Sequence, residues 1–292
     1  MIKKIFKTRW RGEGVGANVR RAIGVSELQD LDPFLMLDMF NVKLPAGFPD
    51  HPHRGFETVT YMISGKFYHE DFGKNSGEIG PGDVQWMTAG KGIVHAEMPA
   101  SKTENSIGFQ LWINLPQEKK LIDPKYQEFK AAQLPFYEDE EMKVIVISGS
   151  YKGIDGKITP ESTAHFYDVH LKAGKTFRLE IPDGWNGLVY SYEASGRVRV
   201  NQRALEVDQV AVFKGRASGS VLELKNESNG FLKFIVVLGK PLEEPVAKYG
   251  PFVMSTREEL YEAFEDYQEA KNGFENSTSW SSKIRKLGQG GY

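Results

Sequence analysis

The sequence predicts an all-β protein of antiparallel barrels with one amphipathic helix near its C-terminus. Three observations carry this prediction. β-rich runs recur between glycine- and proline-marked turns, candidate metal ligands recur at every second position as on one face of a strand, and only residues 255–273 switch to helical spacing.

Taken in order, residues 58–63 (TVTYMI) read as a strand closed by Ser64-Gly65. Gly80-Pro81-Gly82-Asp83 is a turn into the apolar strand 84–88 (VQWMT), because proline fixes φ at one position and glycine permits positive φ at the next. Gly90 and Gly92 precede a strand beginning Ile93-Val94-His95, and residues 109–115 (FQLWINL) supply another. The polar stretches 116–120, 123–125 and 138–141 then separate Leu115 from the strand 144–147 (VIVI) and read as an interdomain linker. The expected domains are 1–130 and 131–292. Ser255 to Glu259 offers a capping box, and Leu260, Phe264 and Tyr267 recur at helical spacing, giving a helix over about 256–272 within the second domain. Residues 277–292 are polar with three late glycines and read as a loose end.

The chain has only six histidines, yet residues 50–57 read DHPHRGFE and residues 95–97 read HAE. On strands, His51 and His53 would project together, and so would His95 and Glu97, as two jaws of one clamp. Three imidazoles and a carboxylate suit a first-row transition metal, and that donor set alone admits iron, manganese, nickel, copper or zinc. Four protein ligands on a six-coordinate ion leave two positions open, whereas a structural zinc ion would need a closed tetrahedral shell. Glu57 is a second candidate carboxylate, since it too lies an even number of residues from His53.

Beyond His170 the chain has no histidine. Tyr61-x-x-x-Gly65 has a counterpart in Tyr192-x-x-x-Gly196, but the positions matching His51 and His53 are Pro182 and Gly184. The second half therefore reads as a barrel kept for its shape. Asp50 and Arg54 flank the first jaw as groups able to orient an imidazole. Phe48, Phe56, Trp86, Met87, Met98 and Trp112 are candidate walls of an apolar cavity, Gln110, Trp112 and Asn114 share one strand face, and His69, His165 and His170 read as structural.

The strings DPFLMLDMF (32–40), GFPDHPHRGFETVTYM (47–62), PGDVQWMTAGKGIVHAEMP (81–99), FQLWIN (109–114), GPFVM (250–254) and AKNGFE (270–275) together resemble the pirin family of the cupin superfamily. That resemblance implies a bicupin of jelly-roll type, two stacked barrels with one metal, and makes His51, His53, His95 and Glu97 the ligands. It also implies iron(II) as the ion and favours Glu97 over Glu57. Two functions come with it. One is a dioxygenase that cleaves quercetin-type flavonols with O2 and releases carbon monoxide, Glu97 taking the proton of the substrate hydroxyl. The other is an iron-dependent transcriptional co-regulator that binds a transcription factor and would be nuclear as well as cytoplasmic. A third reading, a barrel that binds a small ligand without chemistry, would show no O2 uptake.

Composition fits a soluble intracellular protein. The 292 residues suffice for two domains with a core each. A formal net charge of −2 gives no case for nucleic acid, and Arg9, Arg11, Arg20 and Arg21 read as a solvated basic patch. Cysteine is absent, which excludes disulfides and thiol chemistry. No apolar run reaches membrane-spanning length, and residues 1–7 lack the apolar core of a signal peptide.

Overall fold

The computed structural model describes residues 1–14, 16–215 and 219–288. It is built of antiparallel strands with one α-helix, Arg257–Gln268, and the strands divide between two units of like construction.

The first unit comprises residues 10–24, 34–131 and 243–292. A seven-stranded sheet runs in the order Lys125–Phe129, Val84–Thr88, Phe56–Ser64, Ser106–Asn114, Phe34–Val42, Ala17–Ile23, Trp10–Glu13. A four-stranded sheet in the order Phe48–His53, Ile93–Pro99, Phe67–Asp71, Ser76–Ile79 packs against it. Alternation of inward apolar residues makes this possible: Phe40 from the larger sheet stacks on Phe67 of the smaller, ring centroids 5.0 Å apart. The expected turn at Gly80-Pro81-Gly82-Asp83 is present, with Asp83 N donating to the Gly80 carbonyl at 2.9 Å and its carboxylate accepting from Gly80 N.

The second unit comprises residues 1–9, 25–33 and 132–242. It repeats the pattern with a seven-stranded sheet ending in Ile2–Lys7 and Phe136–Glu138 and a four-stranded sheet of Thr176–Ile181, Ser220–Asn226, Val198–Val200 and Arg203–Leu205. Its interior is filled with apolar side chains, Tyr151, Tyr167, Phe177 and Phe234 among them, with Tyr151 stacked on Phe177 at 5.4 Å.

The units do not follow chain order, which corrects the expected domains 1–130 and 131–292. The strand Ile2–Lys7 hydrogen-bonds to Gln209–Lys214 and so joins the second unit. The helix belongs to the first, because Phe252, Ala263 and Phe274 bury together with Val94, and Phe264 and Tyr267 pack against them. It begins where the sequence places it, Thr256 accepting from Glu259 N while the Glu259 carboxylate accepts from Thr256 N. Nor are residues 277–288 loose: Ser282 N donates to Asp50 at 3.2 Å and Lys283 N to Glu70 at 2.6 Å, ahead of a short 3-10 turn at Ile284–Leu287. Residues 289–292 lie outside the described residues. Among the described residues no helix is long and apolar enough to cross a membrane.

Candidate metal centre

In the first unit, Phe48–His53 carries two histidines and its antiparallel neighbour Ile93–Pro99 a third, with His51 opposite His95. Alternation turns the side chains of His51, His53 and His95 to one face, and one ligand nitrogen from each lies within 4.8 Å of the others. His51 Nδ1 stands 2.8 Å from the Pro49 carbonyl. A carbonyl only accepts, so Nδ1 carries the proton and Nε2 presents its lone pair. That Nε2 is 3.0 Å from His95 Nε2. Two imidazole nitrogens about 2.1 Å from one ion, at right angles about it, are separated by about 3.0 Å.

Two further observations fit a cation here. His53 Nε2 is buried without a hydrogen-bond partner, an unusual state for an imidazole nitrogen, which an ion relieves. Burial also lowers the pKa of His51 and pushes His53 and His95 well below 6.5, the neighbouring imidazoles adding to the effect on these two. All three are therefore neutral near pH 7, the form that binds a metal.

Glu97 follows His95 by two residues on the same strand face, but lies outside the three-histidine cluster. Its carboxylate is held from the opposite sheet: Thr60 Oγ1 donates to Oε1 at 2.8 Å and Gln110 Nε2 donates to Oε2 at 3.2 Å. The structure thus gathers three of the four expected ligands and places the fourth at their border.

Glu57 goes elsewhere. The strand carrying His53 ends there, and Gly55, at φ +86°, turns the chain into Phe56–Ser64 of the other sheet. A Cβ on Gly55 would run into the Val253 carbonyl oxygen, so the turn requires glycine. Parity counted from His53 is lost across this turn. Glu57 lies an odd number of residues from Thr60 and so occupies the other face of its strand, where it accepts from Thr88 Oγ1 at 2.8 Å.

A cavity of about 730 Å³ opens over His51 and His53, within the range of small-molecule sites. Of the expected walls, Phe48 and Trp112 line it. Phe56 backs the site, its ring 5.1 Å from His53 and 4.6 Å from Trp112, while Trp86, Met87 and Met98 are buried core. Asn114, beyond Gln110 and Trp112 on the same strand, accepts from the buried Lys120 ammonium at 2.7 Å. Asp50 holds Ser282 rather than an imidazole. Arg54 points away from the metal side, its guanidinium donating to Asp266, the Lys91 carbonyl and the Asn272 carbonyl.

Arg21 is no solvated basic residue. It forks onto Asp38, with Nε to Oδ1 at 2.8 Å and Nη2 to Oδ2 at 2.7 Å, contacts Glu13 at 2.8 Å, and lines the cavity. No sequence periodicity links positions 13, 21 and 38; only sheet pairing brings them together. The remaining histidines have other neighbours: His69 Nε2 lies 2.8 Å from Glu128, His165 Nδ1 3.0 Å from the Tyr167 hydroxyl, and His170 Nε2 3.1 Å from Asp168.

Comparison with known proteins agrees with this geometry. Residues 16–113 match Pirin and residues 166–273 the Pirin C-terminal cupin domain. A pirin-like protein of Solanum lycopersicum is 46% identical over 283 residues, covering 97% of this chain and 96% of its own. Pirin of Rattus norvegicus is 45% identical over 282 residues, 95% of each chain. Among solved structures, a quercetin 2,3-dioxygenase from Acinetobacter baumannii superposes with a TM-score of 0.83 at 34% identity, covering 94% of this chain and 98% of that one. With two cupin domains, a three-imidazole cluster in the first unit, and near-full-length identity of this order, the chain belongs to the pirin family.

Proposed function

We propose that this protein is a metal-dependent dioxygenase that cleaves quercetin-type flavonols with O2 and releases carbon monoxide, with iron(II) as its ion and Glu97 as the fourth ligand. The observation that carries the reading is the convergence of three neutral imidazoles, two of which, His51 and His53, lie on the wall of a cavity large enough for a planar three-ring molecule. Similarity to a quercetin 2,3-dioxygenase over nearly the whole chain supports the substrate class.

Bound to these residues, iron(II) would supply Lewis acidity to lower the pKa of the substrate hydroxyl and a redox partner for O2. The chain's own groups do the rest. Glu97, oriented by Thr60 and Gln110, takes the hydroxyl proton at a carboxylate oxygen. Phe48, Trp112 and Val253 exclude water from the rings and fix their plane.

The test is metal analysis of the purified protein together with O2 uptake on quercetin, against a His51→Ala control. Turnover that depends on His51 supports the enzyme. Metal binding without O2 uptake rejects it and favours a binding module.

A further inference from the structure

Four cavity-lining residues form a straight row across the larger sheet of the metal-bearing unit. Thr60 pairs with Gln110, Gln110 with Asp38, and Asp38 with Arg21, on four adjacent strands. Directly opposed residues share a sheet face, so the row is a polar track across the cavity. One end lies beneath Glu97 through the Thr60 and Gln110 hydrogen bonds. The other ends at the Arg21 guanidinium. Three strand spacings of about 4.8 Å separate the ends by about 14 Å.

The far end is arranged to read a ligand. Asp38 occupies an inward position between Met36 and Phe40, which also line the cavity, where a buried carboxylate costs stability unless it is paired. Arg21 supplies that partner through Nε and Nη2 only. Nη1 makes no hydrogen bond to a described residue, so its N–H groups remain available on a guanidinium that the fork holds rigidly. Two carboxylates balance the one cation, which makes the group a poor site for an anion. It suits a neutral hydroxyl, which can accept from Arg21 and donate to Glu13 or Asp38.

We infer that Arg21, clamped by Asp38 and Glu13, is a specificity-determining residue that recognises a hydroxyl on the end of the substrate remote from the metal. This rests on the flavonol reading of the cavity and adds to it: the preferred substrates are elongated polyphenols with a free hydroxyl on the pendant phenyl ring.

The experiment measures anaerobic binding to the metal-loaded full-length protein by tryptophan fluorescence quenching, with flavonols carrying two, one or no hydroxyls on the pendant ring. Since a hydrogen bond to a charged group is involved, wild type should bind the dihydroxylated compound about tenfold or more tightly than the bare-ring one. In Arg21→Met the bare-ring compound should keep its affinity within about twofold while the preference disappears. Arg21→Lys is the second variant, because it keeps a cation beside Asp38 and loses only the fork; it too should lose the preference. A wild type that binds all three alike, or a preference that survives in both variants, overturns the role of Arg21 and leaves the enzyme reading standing. If no flavonol binds the metal-loaded wild type, both fall.

Discussion

Thr60 Oγ1 lies 2.8 Å from Glu97 Oε1, and this hydrogen bond spans from one sheet of the unit that carries the three clustered histidines to the other. The hydroxyl has a single proton, and Gln110 Oε1, 2.9 Å away, competes for it. Groups that orient a ligand usually change metal affinity by about 10- to 100-fold when removed. Thr60→Val, which keeps shape and loses the donor, should weaken metal binding within that range while the protein stays folded. Competitive titration against a chelator measures this, and unchanged affinity would mean that Glu97 needs no help from the opposite sheet.

The two carboxylates separate cleanly by mutation. Glu97→Gln should release metal and abolish flavonol turnover. Glu57→Gln, on the far face of its strand beside Thr88, should retain most of the metal. The reverse pattern would transfer the ligand role to Glu57.

Stability should fall on the acid side of neutrality. The unfolded chain binds protons at its histidines near pH 6.5, whereas burial keeps His51, His53 and His95 unprotonated in the folded protein to lower pH. Below pH 6.5 the unfolded state therefore carries more protons, and stability drops as pH falls, by about 1.4 kcal/mol per pH unit for each proton involved. Protons also compete with the metal, which acts in the same direction. Urea unfolding of the apoprotein between pH 7.5 and 5.5 should show this slope, and His95→Leu should show a smaller one.

How much of this was legible beforehand depended on the range of the cause. His51, His53 and His95 were readable because alternation along a strand is local, and the helix at 257–268 because its capping box is local too. Glu57 was ambiguous because parity holds only within one strand, and the turn at Gly55 interrupts it. The assignment of the helix to the unit with the three clustered histidines rests on Phe252, Phe264 and Phe274 meeting in space, and Arg21 meets Asp38 through sheet pairing. Neither relation has a period that a sequence could display.

One metal per chain is expected. The second unit fills its interior with Tyr151, Tyr167, Phe177 and Phe234, and among the described residues His51, His53 and His95 form the one group placed to hold an ion. Because the ion would join strands about forty residues apart, and binding to the folded state alone stabilises it, chelation should lower Tm without unfolding either core. Two tightly bound equivalents would count against the filled-barrel argument. So would a Tm indifferent to a demonstrated loss of metal.

The residue next to His53 gives the last prediction. Arg54 is buried, and its guanidinium bonds to Asp266 of the helix at 2.8 Å, to the Lys91 carbonyl at 2.6 Å and to the Asn272 carbonyl at 2.7 Å, over the Phe274 ring. Its backbone N–H donates to the Pro251 carbonyl, and its own carbonyl accepts from Val253 N. Through Arg54 the C-terminal segment holds the end of the strand that carries two imidazoles. Removing one partner of a buried pair typically costs about 3–5 kcal/mol, because the other charge stays buried. Arg54→Met should therefore destabilise the protein by that order and loosen the metal as well, since His53 loses its anchored neighbour. Asp266→Asn, which leaves the two carbonyl bonds intact, should cost less and spare the metal. If Arg54→Met lowers stability but leaves metal affinity at the wild-type value, the C-terminal segment braces the fold and has no hold on the imidazoles.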